Sequence, residues 1–217
     1  MRLRRKTWAK PELAKDSKVI FNPAEYQGRW SKVFGNQAPI YLELGCGRGD
    51  FIAQLARNNR HINYVVIDIH PELLIYVLRK INKHELNNVR IIPLHIENIG
   101  DVFGKDEIGR IYINFCNPWP SKRHHKRRLT HPGFLEKYQN FLKKNGEVWF
   151  KTDDDALFAD SLEYFGAMGF AESYRTDDLT WSGFRENTRT EYEEKFISLG
   201  CKIKFAIFKN QKKISGA

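Results

Sequence analysis

From residue 40 onward the apolar positions follow two alternating patterns. Short, nearly continuous apolar runs predict buried strands at IYLELG (40–45), NYVVIDI (63–69), VRIIPLHI (89–96), GRIYINFC (109–116) and EVWFKTD (147–153). Between them the apolar residues take helical spacing. Phe51, Ile52, Leu55 and Ala56 share one face, and Leu73, Leu74, Val77, Leu78 and Ile81 form a stripe behind Pro71, a residue suited to a first helical turn. Phe134, Leu135, Tyr138, Phe141 and Leu142 predict a helix ending near Asn145-Gly146, and Leu157, Phe158, Leu162 and Phe165 predict another. AESYRT and KIKFAIFK read as two further strands, joined by the polar connection 177–193. This alternation predicts an α/β domain over residues 39–217, a doubly wound, mostly parallel seven-stranded sheet with helices on both faces. Residues 1–38 read as an irregular basic arm.

Composition narrows the class. The 217 residues suit one domain of moderate size, and no apolar run reaches the roughly 20 residues a membrane helix needs. The cationic start MRLRRKTWAK is followed by PELAKDSK rather than an apolar stretch, so export is not expected and the cytoplasm is. Cys46, Cys116 and Cys201 form neither a disulfide framework nor a metal-ligand pattern; they read as small reduced core residues, and no metal is expected.

Charge is distributed unevenly. Residues 1–152 carry 27 basic and 14 acidic side chains, residues 153–200 carry 4 and 12, and residues 201–217 carry 5 and none. That segregation implies a positive face for a polyanion and a separate acidic feature.

The first strand ends in ELGCGRGDF. Gly45, Gly47 and Gly49 permit a tight turn and close backbone approach to a ligand, and the loop opens a helix. Glu43 precedes the glycines, and Asp68 ends the second strand, where an acid accepts hydrogen bonds from ribose hydroxyls. A nicotinamide dinucleotide site would require the spacing G-x-G-x-x-G, whereas this loop is G-x-G-x-G. E-x-G-x-G-x-G with a later acid resembles the S-adenosylmethionine site of class I methyltransferases. That resemblance implies the loop against the methionine moiety, Asp68 on the ribose and adenine near His95 to Glu97.

The fourth strand runs into INFCNPWPSKRHHKRRLTH (113–131), in which Lys122 to Arg128 are seven consecutive basic or imidazole residues. Two prolines stiffen the corner, and the cations suit phosphate contacts. Together LELGCGRGDF, NPWPSKRHHKRRLTHPGFL, FKTDD and TRTEYEEKF, in this order, resemble the bacterial tRNA (guanine-N7)-methyltransferases, which modify a variable-loop guanine.

The resemblance implies S-adenosylmethionine as cofactor and tRNA as partner; either a monomer or a homodimer is compatible with the sequence. It places Glu43, Gly45, Gly47, Asp68, His95, Glu97 and Asn117 on cofactor-binding positions. Trp119, Ser121, Lys122, Arg123, His124, His125, Lys126, Arg127, Arg128, Asp153, Thr190, Glu191, Tyr192 and Glu193 fall on the substrate side. The chain departs from the family pattern at Asn117, where aspartate is usual, at Ser121, where lysine is common, and at His95, where an acid is usual.

Guanine N7 carries an in-plane lone pair, so the attack on a sulfonium methyl needs no general base; positioning and electrostatics suffice. Asn117 is expected to orient ligand without adding negative charge, and Asp153 or Glu193 to supply a carboxylate near the cationic product ring. Trp119 can stack on the base or brace the loop. His124 and His125 read as RNA-facing donors rather than bases. Asp154, Asp155 and Thr190 also suit helix capping. Two other readings stay open: an exocyclic-amine methyltransferase, and a non-catalytic RNA-binding protein on a degenerate methyltransferase fold. Donor and purine are expected to share one cleft.

Overall fold

A computed structural model describes residues 6–211. Seven strands form one sheet in the order β3-β2-β1-β4-β5-β7-β6. They are β1 (Ile40–Leu44), β2 (Asn63–Asp68), β3 (Val89–Pro93), β4 (Ile108–Asn114), β5 (Leu142–Thr152), β6 (Phe170–Thr176) and β7 (Lys204–Asn210). The helices are α1 (Ala9–Leu13), α2 (Trp30–Phe34), α3 (Asp50–Asn58), α4 (Pro71–Lys83), α5 (Pro132–Phe141), α6 (Asp155–Ala167) and α7 (Glu191–Ser198). Contacts divide the chain into two compact units, Met1–Gly104 and Lys105–Ala217.

In the first unit β1 pairs in parallel with β2, and β2 with β3, so Glu43 lies opposite Val66 and Asp68 opposite Pro93. Every residue of β2 is buried, which is why this strand reads as a continuous apolar run. The expected irregular arm is instead structured in its described part. α1 and α2 bury Ala9, Leu13 and Trp30, the Trp30 indole donates to the Val102 carbonyl at 2.8 Å, and Val19 bridges Ile91 beside β3. These pieces are too short to show helical periodicity, so only their burial distinguishes them from coil.

The second unit begins with parallel β4 and β5 and continues with β7 antiparallel to both β5 and β6. The turn expected at Asn145-Gly146 lies inside β5. Leu142 already pairs with Ile108, the register then shifts, and Arg110 pairs with Glu147. Asn145 takes φ +60°, and a Cβ on Gly146 would sit 2.9 Å from the Lys143 carbonyl, so the bulge requires its glycine. β3 ends at Pro93, earlier than its apolar run suggested, leaving His95 to Glu97 outside the strand. Cys46 is buried and Cys116 half-buried, but Cys201 is exposed, against the expectation of three core cysteines.

Candidate active site

The first unit holds the glycine loop and the two acids expected to bind the donor. Gly45, Gly47 and Gly49 have φ of +74°, +54° and +78°, the region L side chains rarely enter. A Cβ on Gly45 or Gly47 would meet nothing within 4 Å, leaving room for a ligand against the backbone. At Gly49 it would lie 2.8 Å from Val77 Cγ2, so this third glycine lets α4 pack close to the start of α3. Asp68 is buried and ties the loop to its own strand. One carboxylate oxygen accepts from the Gly47 N–H at 3.3 Å and the other from the His70 N–H at 2.9 Å.

Burial raises the Asp68 pKa above the usual carboxylate value, and the two backbone N–H donors pull it partly back. Glu43 is buried at the end of β1. Cys46 lies near both acids; burial first, then their charges, hold its thiol protonated. His95 and Glu97 are exposed, with His95 Nδ1 3.7 Å from Glu97 Oε2.

The open backbone at Gly45 and Gly47 beside a buried carboxylate fits a nucleoside bearing an amino-acid chain. Bound S-adenosylmethionine would supply an electrophilic sulfonium methyl. Asp68 would hold its ribose, Glu43 and the glycine loop the methionine end, and His95 to Glu97 the adenine edge.

The second unit forms the proline-tryptophan corner. Phe115 and Trp119 both have positive φ, +50° and +43°, which is costly for aromatic residues and marks a tightly held loop. Asn117 is exposed, and its Oδ1 accepts from the Trp119 N–H at 3.0 Å, closing an Asx turn around Pro118. Arg127 lies over the Trp119 ring at 5.1 Å and His124 packs at 5.8 Å, so this indole is braced by the basic run itself.

The run is not uniform. Lys122, Arg123, Lys126 and Arg127 are exposed, as is Ser121, whereas His124 and His125 are half-buried. Arg128, expected to face phosphate, is only 2% exposed. Its Nε donates to the Pro118 carbonyl at 2.7 Å and its guanidinium pairs with Asp160 on α6 at 2.5 Å. Arg128 is a strut under the corner. Thr130 similarly bonds Ser161 on α6 at 2.7 Å. Cys116, beside this strut, has its thiol pushed up to about 12 by burial, so it is no nucleophile at neutral pH.

Beyond β5, Asp153 carries a carboxylate with no hydrogen-bond partner among the described residues, while Asp154 caps α6 by accepting from the Leu157 N–H at 2.6 Å. Thr190 caps α7 through the Glu193 N–H at 2.9 Å. The sequence T-E-Y-E reads as a capping box, but Glu193 does not turn back to the cap. It is 1% exposed, accepts from Lys151 Nζ at 3.0 Å and from Asn187 Nδ2 at 2.6 Å. Lys151 also donates to Asn187 Oδ1 at 2.5 Å and to the Thr188 carbonyl at 2.8 Å. Glu193 therefore fastens the 187–193 segment to β5, and the expectation that it offers a free carboxylate is corrected: both its oxygens are engaged inside the protein.

Tyr192 is 58% exposed, with its ring stacked on Phe115 and Phe196 at centroid distances of 6.2 and 6.3 Å. Glu191 is exposed beside it. Phe115, Phe196, Lys151, Asn187 and Asp160 escaped the sequence reading. A lysine inside the apolar strand EVWFKTD was the one available signal, since a buried lysine requires a partner.

Comparison with known proteins adds decisive support. A family described as "Putative methyltransferase" matches residues 37–206. A tRNA (guanine-N(7)-)-methyltransferase of Desulfitobacterium hafniense (strain DSM 10664 / DCB-2) is 59% identical over 212 residues, covering 98% of this chain and 100% of that protein. The chain belongs to the tRNA (guanine-N(7)-)-methyltransferase family. A second member, from Clostridium tetani, is 57% identical over 209 residues, covering 96% of this chain and 99% of its own length.

Solved structures share the fold of this methyltransferase at lower identity. An antibiotic-related methyltransferase superposes with a TM-score of 0.61 at 19% identity, over 89% of this chain and 96% of that one. A 16S rRNA (adenine(1408)-N(1))-methyltransferase from Catenulisporales acidiphilia, solved with cosubstrate SAM, gives 0.59 at 12% identity over 91% and 95%. The class I methyltransferase fold expected from the sequence is thus the fold observed.

Proposed function

We propose that this methyltransferase transfers the methyl group of S-adenosylmethionine to N7 of a variable-loop guanine in tRNA. Near-full-length identity of 59% to a tRNA (guanine-N(7)-)-methyltransferase carries the reading, and the structured glycine loop and proline corner support it.

The chemistry asks little of any base. N7 attacks the methyl carbon with its own lone pair as the bond to sulfur breaks, so no proton leaves. Exposed Asn117 offers an amide N–H2 for orienting ligand, its oxygen being engaged in the turn. Asp153, a carboxylate without a hydrogen-bond partner among the described residues, would stabilise a purine that becomes cationic, or accept from the guanine N1–H and exocyclic amine. Lys122, Arg123, Lys126 and Arg127, all exposed, would contact phosphate. Tyr192, on its aromatic stack, offers a surface for a base. His124 and His125 serve as donors to RNA or as props for Trp119.

Unmodified tRNA incubated with enzyme and methyl-labelled S-adenosylmethionine tests the proposal. Labelled N7-methylguanosine after nucleoside digestion is expected. An N6-methyladenosine or N2-methylguanosine product would instead support the exocyclic-amine reading. Calorimetry showing no cofactor binding would support a degenerate, non-catalytic protein.

A further inference from the structure

Five side chains of the first unit form a ladder that neither the donor residues nor the basic loop accounts for. Arg79 Cζ lies 5.4 Å from the centroid of the Trp8 ring. Lys6 Nζ lies 5.5 Å from Trp8 and 4.5 Å from Tyr76. Arg48 Cζ lies 5.5 Å from Tyr76. Cation and aromatic therefore alternate from Arg79 through Trp8, Lys6 and Tyr76 to Arg48, which sits between Gly47 and Gly49 in the donor loop.

Helical spacing explains half of this. Tyr76 and Arg79 are three apart on α4 and so lie on one side of it. The start of the described chain is fastened over them: the Lys6 N–H donates to Glu72 Oε1 at 3.2 Å, and Lys6 Nζ donates to the Tyr76 hydroxyl at 2.7 Å. Aromatic rungs hold cations in place without cancelling their charge. Among the described residues neither Arg48 nor Arg79 has an ion-pair partner. The Tyr76 hydroxyl is held below its ordinary pKa, first by the hydrogen bond from Lys6 and by its charge, then by Arg48 and Arg79, as a positive local field requires. Trp8 is 45% exposed beside these cations, so part of its ring stays in contact with solvent.

Three fixed, unneutralised cations interleaved with aromatics match a nucleic-acid strand, whose phosphates repeat and whose bases present π faces. We propose that Arg79, Trp8, Lys6, Tyr76 and Arg48 form a docking strip for the sugar–phosphate backbone of the RNA substrate, with the solvent-exposed part of Trp8 taking a base or ribose. This rests on the tRNA reading above and adds a second RNA surface to it, on the unit that binds the donor.

The test compares full-length wild-type enzyme with Arg79→Glu, Arg79→Lys and Trp8→Leu, measuring affinity for unmodified tRNA across a salt series. Arg79→Glu is expected to weaken binding about tenfold or more near 0.1 M salt and to lower the slope of log affinity against log salt by about 1. Arg79→Lys should keep the slope. Trp8→Leu should lose roughly five- to a hundredfold in affinity with little change of slope, as a stacking contact does. The KM for tRNA should rise in Arg79→Glu, while kcat at saturating tRNA and the affinity for S-adenosylmethionine stay at wild-type values. If Arg79→Glu retains wild-type tRNA affinity and slope in an enzyme that does methylate tRNA, the strip is overturned and the functional reading survives. If the wild-type enzyme leaves tRNA unmethylated, the functional reading itself fails.

Discussion

Asn117 and Asp153 carry the chemical question at single-residue scale. In the proposed reaction an asparagine can contribute a dipole but no charge, which makes Asp153 the carboxylate to test. Asp153→Asn is expected to lower kcat at least tenfold, with a smaller effect on the affinity for tRNA, and Asn117→Asp in that background should recover part of the loss; steady-state methyl transfer reads both. Glu193→Gln belongs to a different class. It leaves Lys151 buried without its counter-ion, which typically costs about 3–5 kcal/mol, so thermal denaturation at neutral pH should show a lower Tm.

Asp68 adds a pH signature. Its folded pKa lies above the unfolded value, so its burial favours folding of the protonated form, and this contribution is lost as pH rises from the unfolded pKa through the folded one. Ligand hydroxyls prefer the ionised form, so affinity for S-adenosylmethionine should fall on acidification, starting above the usual aspartate range. Calorimetry on Asp68→Asn should find weaker binding that no longer follows this titration.

Secondary-structure elements were legible in the sequence wherever one face or both faces are uniformly buried. β1, β2, α3 and α4 fall within a residue or two of their apolar patterns. What the pattern hid was pairing across distance. Arg128 looks like its exposed neighbours, because its partner Asp160 is 32 positions away on α6, and Asn145-Gly146 looks like a turn because a bulge uses the same residues.

Two elements are held by contacts that can be broken singly. Gly49→Ala would put a methyl against Val77 at a position with φ +78°, so a loss of about 1–3 kcal/mol in stability is expected. Val77→Ala should relieve only the steric part, and chemical denaturation of the double variant checks this. Arg128→Met keeps the volume under the corner but removes the bonds to Pro118 and Asp160. It should lower kcat for methyl transfer by one to two orders of magnitude on the scale of lost positioning, while leaving affinity for S-adenosylmethionine unchanged.

Across the whole molecule the charge segregation acquires a physical meaning that composition alone did not supply. Part of the acidic stretch 153–200 is counter-charge to specific cations: Asp160 pairs with Arg128, Glu193 with Lys151 and Asp155 with Lys204 at 2.6 Å. Those pairings leave Lys122, Arg123, Lys126 and Arg127 exposed in one unit and the Arg48–Arg79 ladder in the other, while Asp153 stays unpaired among the described residues. A polyanionic substrate is the natural complement. The most direct measurement of the central claim is transfer of a tritiated methyl group from S-adenosylmethionine to unmodified tRNA, with the labelled nucleoside identified after complete digestion. The account predicts N7-methylguanosine as the labelled product, lost when the variable-loop guanine is replaced; label on an exocyclic amine, or retained in the replaced tRNA, would contradict it.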